Sequence, residues 1–582
     1  MTKKSSLFFN LIIVLLMTLV TAGSFGAFLT LTIDEPNVVV GFAAGKQKDI
    51  PVLVKKEDGT MEQAGSLVRG CRIKKYADNE EIGGKFYNRL KEGEYLSNIT
   101  NEAAGESSAD ESREYYIACE NTAVLKGDVV KETEIYVRTP STIYKDLSGA
   151  SIASFAPKGS CLKVSGYDKL LDDGSVYKYK VIYGEEDIKE GKEEPSDNSA
   201  QGYIFSRYTA SSQEEADTVY NGNGVYDNVK NDNYDMELYG GKAASLDYYP
   251  FQRPAFKDNA FCADAKAMYI NGRAAVNPGA YVKLIKETDC NAVVIDIKDG
   301  YLAYKSEVAK EYSPSSYKTA YSEVEDYKKG IDAYRESGAY LIGRIVVFND
   351  PIYAKDHPED CIKYAGDSGW PSAFSRNVWE YNVKLALEAV KIFGFNEIQF
   401  DYVRFPESSY EMSKSGKADF RNAYDEEKGQ AVQNFCIYAA DMLHEEGAYM
   451  SVDVFGESAY GYMTAYGQYW PGISNVADAI SAMPYTDHMG ADNSWEDPYK
   501  TMLSWSKKAV KQQAKLEHPA AARTWITGYD TPHWNPTVEY DSPMLKAQVN
   551  AMKKAGLTGG FIPWNASSDI GNYRKYKGVW KE

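Results

Sequence analysis

Hydrophobic positions follow two regimes along the chain. Before about residue 208, short runs of alternating apolar and polar residues are separated by turn residues. After about residue 262, apolar runs of strand length alternate with segments whose apolar residues recur at helical spacing. One unit of the second kind is unusually clear. The stretch 377–393 carries Val383, Leu385, Ala386, Ala389 and Val390 on one helical face and stops at Gly394. Asn396-Glu-Ile-Gln-Phe-Asp401-Tyr-Val-Arg404-Phe-Pro406 follows, and it predicts a buried strand over 398–403 that breaks at Pro406. A buried strand does not carry charge without pairing or using it, so Asp401 and Arg404 mark a candidate site.

The same pattern predicts strands at 267–271, 292–299, 340–348, 397–404, 449–455, 479–483, 524–528 and 560–563. Helices are expected between them, at 321–337, 377–393, 427–446 and 542–555 among others. Eight such units define an α/β fold of the (β/α)8 TIM-barrel type over 262–582, whose chemistry sits at the C-terminal ends of the strands. No glycine-rich phosphate loop follows any strand, which argues against a doubly wound nucleotide-binding sheet.

The N-terminal half is all-β, with one module at 36–133 and a second at 134–208. In the second, Pro157-Lys-Gly159 precedes Cys161-Leu-Lys-Val164, and Gly202-Tyr-Ile-Phe205 closes the block. That arrangement resembles bacterial SH3-like modules, and Gly65-Ser-Leu-Val-Arg-Gly70 and Gly93-Glu-Tyr-Leu96 make the first block similar to a divergent copy. The resemblance implies either β spacers or glycan binding. Residues 209–261 are rich in Asn, Asp and Gly and read as a polar linker.

Lys3 and Lys4 precede an uncharged run over 5–33, closed by Asp34. It is long enough to span a bilayer, so 1–33 reads as a signal anchor with the body outside the cell membrane. Small residues at Thr21-Ala22-Gly23 leave a cleaved signal peptide, and hence secretion, as the alternative. The net charge of -18 and pI near 5.0 argue against nucleic acid, which wants a basic face. Tyrosines outnumber phenylalanines 47 to 21, which suits wet surfaces and sugar faces. The seven cysteines form no C-x-x-C or Cys/His cluster, so no metal site is expected; Cys71 and Cys119 are near enough in sequence to pair. No cofactor motif is present.

Val293-Val-Ile-Asp-Ile-Lys-Asp299, Arg344-Ile-Val-Val-Phe348, Trp379-Glu-Tyr-Asn382, the 394–406 run and Ser451-Val-Asp-Val-Phe-Gly456 together resemble a bacterial glycoside hydrolase family. Its barrels are distantly similar to the α-amylase type. The resemblance covers 264–577 and implies hydrolysis of a poly- or oligosaccharide, such as a cell-wall glycan, by a carboxylate pair. Period-2 alternation independently puts Asp296 with Lys298, Arg344, Gln399 with Asp401, and Asp453 on inward faces. Asp401 is the expected nucleophile or base, held charged by Arg404 or Lys298. Asp453 competes with Glu457 for the role of acid, and alternation slightly favours Asp453. Amylase-like barrels place the acid after the fifth strand and a third acid after the seventh, which implies Glu457 and Asp530. They also carry an arginine two residues before the nucleophile, where Gln399 stands here. Asp299 and the loop aromatics Tyr301, Trp370, Tyr402, Tyr460, Tyr485, Trp534 and Trp564 are candidates for sugar binding. A barrel that binds glycan without cleaving it, acting as a surface scaffold, is the competing expectation; an amidase or deacetylase is disfavoured by the missing metal cluster.

Overall fold

The computed structural model describes residues 37–93, 98–99, 113–184, 200–226, 238–489 and 493–581. The chain forms two compact units, Met1–Thr133 with Val164–Lys180, and Glu134–Lys163 with Val181–Glu582. The expected membrane segment at 1–33 lies outside the described residues, and among those described no helix is long and apolar enough to cross a membrane.

In the first unit, strands Val38–Ala43, Asp49–Lys55, Met61–Val68, Arg72–Ile82, Lys85–Leu90 and Tyr115–Ala118 pair antiparallel. Their alternation buries Ile50, Val52, Leu67, Ile73 and Ile117 in one core. The apolar run 66–73 is two strands, because the chain turns at Gly70, whose φ of +86° suits glycine alone. Cys71 and Cys119 are both free thiols; Cys119 Sγ accepts from Asn88 Nδ2 at 3.2 Å.

In the second unit, Ser141–Tyr144 pairs with Ile152–Ala156, and 134–136 pairs with 161–163. Ser141–Tyr144 is buried on both faces, so it shows no alternation to betray it. The expected linker is packed chain where it is described. Val225, Ala243, Leu246 and Tyr248 bury against Met463 and Tyr469, since scattered apolar residues suffice to seat a polar segment on a large body.

Eight parallel strands close a barrel: β1 (Ala265–Ile270), β2 (Ala292–Asp299), β3 (Tyr340–Val346), β4 (Glu397–Asp401), β5 (Tyr449–Phe455), β6 (Ala479–Met483), β7 (Ala521–Thr527) and β8 (Gly560–Trp564). β1 pairs with both β2 and β8, so no edge remains. The outer helices are α1 (Gly279–Lys286), α2 (Val324–Glu336), α3 (Arg376–Phe393), α4 (Lys428–Glu445), α5 (Trp470–Ser474), α6 (Pro498–Gln513), α7 (Ser542–Ala555) and α8 (Ile570–Lys575). Gly394 ends α3 in the left-handed conformation, as its sequence signal predicts.

Inside the barrel, Ala267, Ala292, Val294, Ile342 and Ile562 form the apolar floor. Below them a buried pair joins Arg523 Nη1 of β7 to Glu397 Oε1 of β4 at 2.6 Å, with Tyr340 Oη donating to Glu397 Oε2 at 3.1 Å. Polar side chains take over towards the C-terminal ends of the strands.

Candidate active site

The strand register decides which charges meet. Arg344 of β3 lies beside Asp296 of β2 and Gln399 of β4, all on the inward face. From there the Arg344 guanidinium donates to Asp296 Oδ1 at 2.7 Å, to Asp299 Oδ2 at 3.1 Å and to Asp401 Oδ2 at 2.5 Å. Its Nε lies 3.7 Å from Asp453 Oδ2. Arg344, Asp401 and Asp453 are 2%, 4% and 0% exposed, so these charges meet with little solvent to screen them.

Asp453 Oδ1 accepts from Gln399 Nε2 at 2.6 Å and Trp525 Nε1 at 2.8 Å, while Oδ2 has no hydrogen-bond donor. Burial, reinforced by the nearby Asp401 charge, drives the Asp453 carboxyl well above the ordinary carboxylate range. Burial likewise lifts Asp296 to about 6 against the pull of Arg344, and Tyr269 Oη donates to its Oδ2 at 2.5 Å.

Two expected partners of Asp401 stand elsewhere. Between Asp296 and Lys298 the β2–β3 register slips by one residue, so Lys298 lies beside Ile345 and leaves the face that Arg344 occupies. It pairs with Asp350 at 2.6 Å, and burial lowers its pKa. Arg404 departs for a different reason. β4 ends at Asp401 rather than at 403, because Tyr402 adopts a φ of +54° that no strand continues through. Arg404 then bonds Phe405 O at 3.0 Å and Glu407 Oε1 at 3.2 Å, its guanidinium 4.4 Å from the Phe455 ring centre and 4.8 Å from that of Tyr402. Arg344 therefore supplies the counter-charge of Asp401.

A cavity of about 1000 Å³ opens above this cluster. Asp401 and Glu457 both line it, with Tyr402, Tyr460, Tyr466, Tyr485, Trp525 and Trp564 among its walls. Glu457 sits just past β5; Tyr462 Oη donates to its Oε1, and Tyr466 Oη to its Oε2 at 2.6 Å. Asp453 lies beneath the cavity and does not line it. Asp530 stays apart, bonded to Lys575 Nζ at 2.8 Å and to the Tyr540 amide at 2.7 Å. Tyr462, Tyr466 and Trp525 were not foreseen. Alternation along β7 places Trp525 on the Arg523 face, a readable signal; the two tyrosines lie on a loop and give none. Among the described residues one group, His357, Glu359 and Asp360, brings metal-type ligand atoms together, and it takes no part in this cavity.

A closed parallel barrel with buried carboxylates beneath an aromatic-lined mouth is an arrangement that glycoside hydrolysis can use. The sequence agrees. Residues 267–570, just over half the chain, match the family described as "Putative glycosyl hydrolase domain", and the chain belongs to that family. No curated protein matches it. Among solved structures, a hypothetical protein from Ruminiclostridium thermocellum is 29% identical, over 32% of this chain and 97% of its own, with a TM-score of 0.27. The glycoside hydrolase domain of PgaB (BpsB) from Bordetella bronchiseptica is 11% identical, over 55% of this chain and 99% of its own, at 0.40. A class V chitinase from Pseudomonas fluorescens is 12% identical, over 53% and 99%, at 0.35.

Proposed function

We propose that the barrel hydrolyses a glycosidic bond in a poly- or oligosaccharide, with Asp401 as the ionised carboxylate and Glu457 as the acid. The observation that carries this reading is that these two carboxyl groups open into one aromatic-lined cavity at the C-terminal mouth. Glycoside hydrolysis needs such a pair, one to attack the anomeric carbon or activate water, the other to protonate the leaving oxygen. Asp453 is a positioning residue. It is sealed from the cavity, and its carboxyl anchors Gln399 and Trp525 under Asp401. Arg344 is also a positioning residue, fixing the Asp401 carboxylate through Nη2. The aromatic walls stack sugar faces. A cell-wall glycan is the proposed substrate, on the reading that 1–33 exports the body and that the β module at 134–208 is of SH3-like type.

The test compares Asp401→Asn, Glu457→Gln and Asp453→Asn on a glycan that the unsubstituted chain cleaves, and on its aryl glycosides. Asp401→Asn is expected to lower the rate at least about a thousandfold with folding intact. Glu457→Gln is expected to spare substrates with acidic leaving groups, lose the others, and recover with azide. Should only Asp453→Asn behave in that way, the roles of the two acids are reversed. Activity retained by Asp401→Asn removes the assignment altogether.

A further inference from the structure

A second cavity, of about 550 Å³, opens at the barrel mouth on the other side of Arg344. Asp296 and Asp299 line it, as do Tyr301, Tyr321 and Arg273. It adjoins the first cavity through one side chain, since the guanidinium that bonds Asp401 also bonds Asp296 and Asp299.

The walls of the second cavity suit a sugar. Tyr301 and Tyr321 are 44% and 37% exposed, large apolar faces left in water. Their ring centroids lie 5.3 Å apart at 37°, a tilted pair, and Arg273 stands 4.5 Å over the Tyr321 ring. The pair is held in place rather than incidental. Gly300, at a φ of +65°, folds Tyr301–Leu302 back onto β2 so that Asp299 and Tyr301 stand opposite each other. The hairpin thus ties the aromatic face to a carboxylate that Arg344 already holds. Aromatic faces bind the apolar faces of sugars, and a flanking carboxylate and guanidinium suit ring hydroxyls.

We infer that the second cavity is a further glycan subsite, so that a chain of several sugars lies across the mouth and is cut internally. The inference rests on the proposed hydrolase reading for its orientation, but its test does not require turnover. In the full-length Asp401→Asn chain, calorimetry measures the binding of trimers and hexamers of β-linked N-acetylglucosamine, glucose and xylose, and of α-linked glucose and galacturonate. At least one hexamer is expected to bind about tenfold or more tighter than its trimer. Tyr301→Ala with Tyr321→Ala, and separately Arg273→Ala at the exposed rim, should erase that gain. Equal affinity of trimers and hexamers overturns the subsite even if the protein proves to be a hydrolase. So does a length gain that survives both sets of substitutions, and so does a failure of every oligosaccharide to bind. Loss of the gain in a chain that cleaves nothing supports the subsite and removes only the catalytic reading.

Discussion

Replacing Arg344 by Met keeps much of the side-chain volume and removes the charge on which three carboxylates converge. Two of them, Asp296 and Asp401, are 3% and 4% exposed, so solvent cannot take the place of the guanidinium. Breaking a buried pair on one side costs about 3–5 kcal/mol. Part of that cost is an upward shift of the Asp296 carboxyl, which Arg344 holds down against burial in the unsubstituted chain. The sign follows. In the variant Asp296 stays above its unfolded value near 3.9 and rises further, so between those limits the folded barrel holds a proton that the unfolded chain has released. Stability then falls as pH rises through that window. Asp296 already contributes such a slope up to about 6 in the unsubstituted chain. Without Arg344 the window extends upward, so the variant's deficit should grow from about 1 kcal/mol near pH 4.5 to about 3–5 near pH 7.5. Urea unfolding followed by tryptophan fluorescence isolates the barrel, because all 9 tryptophans lie between 370 and 580. A deficit of the same size at both pH values would refute the reasoning, as would one under about 1 kcal/mol at the higher pH.

At the opposite end of the barrel, Arg523→Met should cost about 3–5 kcal/mol, and adding Glu397→Leu should recover most of it, measured by the same unfolding. Asp441 of α4 accepts from Tyr144, Arg207 and Tyr208, so Asp441→Ala removes the shared acceptor of two buried hydroxyls and an exposed guanidinium. It should cost about 2–4 kcal/mol and expose 134–163 and 200–210 to limited proteolysis; unchanged proteolysis would mean that these β strands are held by other contacts. Fractionation of the native cells should find the protein in the membrane through 1–33, whereas free protein beginning near Gly23 would mean a cleaved signal.

The barrel was legible because its two periodicities are strong: β2, β5, β6 and α7 lie where the pattern predicts them. The sequence also brought Asp296, Arg344, Gln399, Asp401 and Asp453 together, since inward faces at one height of a closed barrel converge. It failed where alternation stops being a guide. The β2 bulge moved Lys298 to the other face, and the left-handed Tyr402 swung Arg404 out of line with Asp401. Both faults are single-residue backbone events without a signature in side-chain pattern. Alternation also ranked Asp453 above Glu457 because it reads direction but not depth. The inward direction is the reason that Asp453 is sealed beneath the cavity and Glu457 is not.

The departure at Gln399 takes on a different meaning in this geometry. Amylase-like barrels carry an arginine there, on the nucleophile's own strand, and its absence argues at first against a charged carboxylate. Arg344 lies directly beside Gln399 in the β3–β4 register, at the same height and on the same face. Moving the guanidinium one strand sideways keeps it within 2.5 Å of Asp401. The exchange also frees the inward position on β4 for an amide, which reaches Asp453 at 2.6 Å. A second positive charge in that place would favour ionised Asp453, whereas a neutral donor leaves burial to dominate. The relocated arginine also gains Asp296 and Asp299, which an arginine on β4 would have to cross β3 to meet. Its position therefore accounts both for the paired state of Asp401 and for the junction of the two cavities at one side chain.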